Sequence, residues 1–323
     1  MALAALGLVK LWSPGRAAVS GPITVEANNI SSFNTLGIGS TFGPFEWRGG
    51  LTLASEARNF GGLSGLMLED NCETLLSVSD QGNWFTAKLS YQDGLLSGIS
   101  EPQLAPVRDS KGQPQRNKLW ADSEAIAPLG QGKVGLAFER KVRFGAYDIG
   151  KLGTAAPFAP IAHPPEIDLG PENGEVESFG LLPSGRSIAI AEKQRDDTGN
   201  TRAWIWQAKQ VTHFSIARYG SYNVTDLAVL PDGKVLTVER SFTKTSLPGM
   251  AIRRFDPRDI KPGQLVTPEL LLEASVPFYT IDNMEGIAVC QRDGETRVTL
   301  QSDDNFYPGI QSTMLLQFAY RPD

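Results

Sequence analysis

Histidine and cysteine are nearly absent from this 323-residue chain, which has two of each. So few histidines make His-based zinc sites and Ser-His-Asp relays hard to build, although one His suffices for a triad. Cys72 and Cys290 supply neither a zinc spacing nor a disulfide framework, so two half-buried free thiols are the expected state and the redox compartment stays open. Basic residues are also short: 30 Lys and Arg against 36 Asp and Glu leave a net charge of −6. A phosphate backbone is held by clustered Lys and Arg, so nucleic acid is not an expected partner. No apolar run approaches the roughly 18 residues of a spanning helix, and no membrane span is expected.

Helical periodicity is scarce as well. The 33 glycines and 21 prolines divide the chain into short strand-like pieces. The first 22 residues read as an N-terminal tail or a signal-like segment: an apolar stretch followed by small residues at Ala17-Ala18-Val19-Ser20, but with no basic start and with Lys10 interrupting it. Residues 23–323 read as a single domain.

Five pieces of this domain stack in one register: GLSGLMLEDNCETLLSVSDQ from Gly62, DSEAIAPLGQGKVGLAFER from Asp122, EVESFGLLPSGRSIAIAEK from Glu175, VTDLAVLPDGKVLTVER from Val224 and NMEGIAVCQRDGETRVTLQSDD from Asn283. Each runs from a polar residue through an apolar strand, a turn and a second apolar strand to an acid. Asp232-Gly233 and Asp293-Gly294 mark hairpins, because Gly accepts the positive φ of a tight turn. The units recur at about 50 to 60 residues, a spacing that suits β-propeller blades and is too long for most solenoids. Roughly 100 residues at the two termini could form two more units, so an all-β single propeller of six blades is expected, with five and seven as alternatives. Terminal strands would close the ring, Ile23-Thr24-Val25-Glu26 or Phe45-Glu46-Trp47-Arg48 joining Met314-Leu315-Leu316-Gln317-Phe318. The stretches 108–118, 157–171 and 195–201 read as loops.

A residue at one point of every blade forms a ring around the channel. The position opening each unit is Ser64, Glu124, Glu177, Asp226 or Glu285, and the acids closing the second strands are Asp80, Glu139, Glu192, Glu239 and Asp303. Gathered carboxylates raise one another's pKa and destabilise the fold unless cations accompany them. Arg140, Lys193 and Arg240, each following a closing acid, could pair with them. Alternatively a hard divalent cation could sit among them, since Ca²⁺ takes six to eight oxygen ligands in flexible geometry. Ser302-Asp303-Asp304-Asn305 packs four oxygen donors into one strand end, which makes Glu285, Asp303 and Asp304 the leading ligand candidates.

Several motifs together look like the phytase-like domain family, described as having esterase-like activity. They are Gly61-Gly62-Leu63-Ser64-Gly65-Leu66, Ser77-Val78-Ser79-Asp80-Gln81-Gly82, Leu136-Ala137-Phe138-Glu139-Arg140, Leu236-Thr237-Val238-Glu239-Arg240, Asn283-Met284-Glu285-Gly286-Ile287 and Ser302-Asp303-Asp304-Asn305-Phe306. The resemblance runs from about residue 55 to 320 and implies a β-propeller, export to a secreted or periplasmic location, and a calcium-dependent esterase or phosphoesterase. The Asp-Ala-x-Asp-Asp-Pro-Ala type motif of calcium-dependent propeller phytases has no match here.

On this reading Glu285, Asp303 and Glu239 are catalytic candidates, and Arg140, Lys193 and Arg240, with Lys118, are anion clamps. Glu124, Glu177, Asp226, Glu285, Asp303, Asp304, Asp80, Glu139 and Glu192 are metal ligands. The partner would be a small-molecule ester or phosphate ester met by a monomer. A calcium-dependent lactonase-like hydrolase is the related alternative, and a non-catalytic propeller that binds a protein or a cell-envelope component is the alternative of another class. Ser64 lacks the GxSxG context of a nucleophile elbow and reads as the ring's missing acid. Trp204 and Trp206, two apart on one strand face, read as core, and His163 and His213 as non-catalytic.

Overall fold

The computed structural model describes residues 20–171, 176–243, 246–307 and 309–322. They form five sheets, antiparallel but for the short outer pairing of Gln210–Ile216 with Leu265–Val266, arranged as the blades of a propeller, so the ring has five blades and not six. The inner strands are Leu63–Glu69, Ser123–Gly130, Val176–Leu181, Asn223–Val229 and Met284–Arg292, and each packs against the next around a closed circle. They define blades 1 to 5.

The expected sixth blade is absent because the terminal residues thicken an existing one. Blade 5 continues outward from Met284–Arg292 through Glu295–Ser302 and Thr313–Tyr320 to the N-terminal strands Phe45–Ala54 and Glu26–Ile30. Phe45–Ala54 pairs antiparallel with Thr313–Tyr320, from Thr313 opposite Leu53 to Tyr320 opposite Phe45. The expected closure through Phe45-Glu46-Trp47-Arg48 is therefore found. Ile23 to Val25 lie outside any strand, and Gly21–Pro22 pairs with the outer strand of blade 1, Leu95–Pro106. Ala159–Ile161, inside a stretch read as loop, is the outer strand of blade 2. The signal-like segment falls mainly in residues 1–19, outside the described residues.

Side chains alternate across each strand, so one blade feeds two interfaces. In Thr201–Gln207, Trp204 and Trp206 pack toward blade 2 while Ala203 and Ile205 pack toward blade 4. Five buried apolar clusters result, one at each blade-to-blade boundary. Both tryptophans are core, as their spacing indicated. Of the two hairpin signals, Asp293 and Gly294 both take positive φ, as a two-residue type I′ turn requires. Gly233 also takes positive φ, in a longer connection between Leu230 and Lys234.

Cys72 and Cys290 are not free thiols. They form a disulfide with their Cα atoms 5.6 Å apart, across 218 residues of sequence. Cys72 sits in the turn after the inner strand of blade 1 and Cys290 near the end of the inner strand of blade 5, so the bond ties the first blade to the last. Sequence spacing could not give this pairing because only ring closure brings the two residues together.

A carboxylate-lined channel mouth as the candidate site

The inner strands begin, and the second strands end, at the same mouth of the channel. Each inner strand carries a β-bulge near its start, where two residues oppose one on the second strand. A bulge re-aims the extra side chain. The bulged residues are Ser64, Glu124, Glu177, Thr225 and Glu285. In blades 1, 2 and 5 the residue closing the second strand bonds back across the bulge: Asp80 N–H donates to Gly62 O, Glu139 N–H to Asp122 O and Asp303 N–H to Asn283 O, each at 2.9 Å.

Blade 4 departs from the expected alignment by one residue. Its bulge falls at Thr225, with Val224 opposite Glu239 and Asp226 opposite Val238, so Arg240 occupies the place of Asp80, Glu139, Glu192 and Asp303. Asp226 and Glu239 therefore leave the ring, and Glu239 is withdrawn as a catalytic candidate. Asp226 is fully buried between blades 4 and 5, accepting from Leu227 N–H at 2.8 Å and Ile287 N–H at 2.9 Å. Burial pushes its pKa well up, against the pull of those two donors. Glu239, also fully buried, accepts from Arg253 at 2.6 Å and from Thr237 at 3.0 Å inside blade 4. The signal was available: in Val224-Thr225, as in Met284-Glu285 and Val176-Glu177, an apolar residue immediately precedes the bulge.

Among the described residues eight carboxylates converge on the mouth: Asp80, Asp122, Glu124, Glu139, Glu177, Glu192, Glu285 and Asp303, each within electrostatic reach of at least one other. Asp122 was not among the sequence candidates. It follows the short helix Lys118–Ala121 and stands two residues before Glu124, and the carboxylates of both come together at the mouth. Asp304 does not join the ring. Its Oδ1 accepts from Gly62 N–H and Phe306 N–H, both at 3.0 Å, and holds the loop. Gly62, at φ +60°, is required there because a Cβ would overlap Phe306 and Asp80.

Among the described residues four cations enter the cluster. Lys118 pairs with Asp80 and lies 3.6 Å from Asp122, Arg140 pairs with Asp122, and Lys193 pairs with its neighbour Glu192. Arg240 Nη1 lies 2.7 Å from Glu285 Oε1, and its Nη2 lies 3.6 Å from Glu192. Asn283 supports this corner by donating to Glu285 at 2.7 Å. Four cations leave the eight carboxylates in excess, and the pKa shifts follow. Glu124 and Glu177 keep an edge open to the mouth but are surrounded by protein, so burial and then neighbouring carboxylates raise both well above the usual range. Burial, followed by the Glu285 carboxylate, pushes Asp303 up to about 9. Burial also raises Glu285 and Asp80, against the opposing effects of Arg240 and Lys118.

Oxygen atoms of Asp122, Glu124 and Glu139 lie within 4.8 Å of one another, the separation at which three carboxylates can share a metal ion. An all-oxygen donor set with surplus negative charge fits a hard divalent cation such as Ca²⁺. The inner strands also line a cavity of about 80 Å³, with Leu66, Phe179, Leu227 and Ile287 among its apolar walls and Glu69 beside them. A larger cleft of about 680 Å³ opens beside Asp80 and Lys118, with Arg58, Asn83 and Phe306 on its walls. His163 Nε2 lies 2.8 Å from Asp168 and His213 Nε2 4.0 Å from Glu166, away from the mouth carboxylates.

The fold and site define a five-bladed propeller with a carboxylate-lined mouth. The chain belongs to the phytase-like family, described as esterase-like activity of phytase, which matches residues 58–306. No curated protein matches it. Similar solved structures include the β-xylosidase RS223, at 12% identity over 82% of this chain and 94% of that one with a TM-score of 0.47. A gluconolactonase from Xanthomonas campestris is similar at 10% identity over 95% and 99% of the chains, with a TM-score of 0.43.

Proposed function

We propose that the protein hydrolyses small-molecule esters, carboxylic or phosphoric, at the carboxylate mouth, with a calcium ion held by Asp122, Glu124 and Glu139. The observation that carries this reading is the bulge register, which delivers carboxylates from four blades to one mouth in excess of the cations present. Bound there, the cation would supply Lewis acidity and lower the pKa of a water. Asp303, holding its proton to about pH 9, stands as the acid that protonates the leaving alcohol. Glu285, fixed by Arg240 and Asn283, orients the group beside it. The cleft beside Asp80 and Lys118 receives the leaving group. Among the described residues no helix is long and apolar enough to cross a membrane, and the Cys72–Cys290 disulfide favours an oxidising, secreted or periplasmic location.

The non-catalytic reading draws on a specific observation too, since Lys118, Arg140, Lys193 and Arg240 already neutralise part of the cluster. Hydrolysis of p-nitrophenyl phosphate and a short-chain p-nitrophenyl ester separates the two. Metal-stripped protein should be inactive, calcium should restore turnover, and Glu124→Gln should reduce kcat/KM by at least about 100-fold, in the range seen when one preorganised electrostatic contact is lost. Absence of turnover on both substrates, with no calcium-dependent change in melting, would leave a binding propeller with structural acids.

A further inference from the structure

Among its described residues, blade 4 contributes no carboxylate to the mouth. At the bulge it places Thr225, at the strand end it places Arg240, and the adjacent acid, Glu239, is held inside the blade by Arg253. The Arg240 guanidinium lies between Glu285 of blade 5 and Glu192 of blade 3, 2.7 and 3.6 Å from their oxygens, and its Nη1 also donates to Asn283 Oδ1. Glu192 is almost wholly buried and Glu285 nearly so, so neither carboxylate can turn to water for compensation. A charge fixed in that position repels a second cation, and the repulsion is strong where solvent is excluded.

We propose that Arg240 is a resident cation that fills the place of a divalent ion between blades 3 and 5, dividing the mouth into two sectors. The sector of blade 2, with Asp122, Glu124 and Glu139, is left for metal. Arg240 is a positioning residue, setting where metal binds and how many ions bind. The metal half of this inference rests on the ester-hydrolase reading, whereas the exclusion of metal by Arg240 does not.

Calcium stoichiometry, measured by equilibrium dialysis on the full chain, tests it. Arg240→Met should bind one more ion than wild type, because Glu285 and the neighbouring Glu177 then lose the cation beside them and Glu192 keeps only Lys193. Arg240→Lys should keep the wild-type number. Equal stoichiometry in wild type and Arg240→Met overturns the proposal. If wild type binds none while Arg240→Met binds one, the hydrolase reading fails and the role of Arg240 stands. Because Arg240→Met could fail to fold, wild-type crystals soaked in terbium give a second check: anomalous density beside Asp122 and Glu124 is expected, and density between Glu192 and Glu285 overturns the proposal.

Discussion

The Oδ2 atom of Asp226 accepts a hydrogen bond from the Ile287 amide 2.9 Å away, across the boundary between blades 4 and 5. Its other oxygen takes the Leu227 amide, so one fully buried carboxyl satisfies donors on two inner strands. Removing it leaves two buried N–H groups without partners, each costing about 1–3 kcal/mol. Asp226→Ala should therefore destabilise the fold by about 2–6 kcal/mol in urea denaturation while leaving calcium stoichiometry unchanged. A loss below about 1 kcal/mol would mean that water replaces the carboxyl.

The mouth carboxylates set the pH dependence of stability. Asp303, Glu124, Glu177, Glu285 and Asp80 all have folded-state pKa values above those of the unfolded chain. The folded protein thus keeps protons that the unfolded chain releases near pH 4. Their contribution is fully present below that pH and is lost as pH rises toward about 9, where Asp303 gives up its proton. In EDTA, Tm should fall between pH 5 and pH 9, on the order of 5–10 °C, and saturating calcium should remove most of that fall above pH 7 by taking the place of the protons. A Tm that rises with pH in EDTA contradicts this assignment.

Propeller class, hairpin positions and terminal closure were legible in the sequence because they rest on local signals: alternation, Asp-Gly turns and recurring apolar pairs. The blade count was not, because Phe45–Ala54 has the same local character whether it pairs with Thr313–Tyr320 or starts a sheet of its own. Asp226 and Glu239 were misplaced because a one-residue slip reverses every side chain of a strand, and an acid beside the true position disguises the slip. Asp122 escaped because it precedes its strand, and the disulfide because its cysteines meet only when the ring closes.

Glu239 and Arg253 form a buried ion pair at 2.6 Å, with Arg253 also donating to Ala217 O at 2.8 Å. Truncating one partner strands the other charge in a dry interior, a loss of about 3–5 kcal/mol. Arg253→Met should show that loss in chemical denaturation with kcat/KM unchanged in the fraction that remains folded. Arg253→Met/Glu239→Leu, which removes both charges, should recover most of the stability. Activity lost in proportion to a change in kcat, with stability intact, would return Glu239 to the catalytic site.

The Cys72–Cys290 bond lies at the end of the channel opposite the carboxylates and spans the boundary at which the chain's first and last blades meet. That boundary is also packed by the apolar cluster of blades 5 and 1, which includes Leu66, Phe85, Leu315 and both cysteines. A cross-link closing so long a loop restricts the unfolded chain and stabilises the fold by about 2–4 kcal/mol. Cys72→Ala/Cys290→Ala should therefore lower Tm by several degrees yet bind calcium with wild-type stoichiometry, because the mouth is built by the opposite strand ends. Retention of the wild-type Tm would place ring closure on the apolar cluster alone. Lost calcium binding in a folded variant would show that the disulfide transmits order along the inner strands to the mouth.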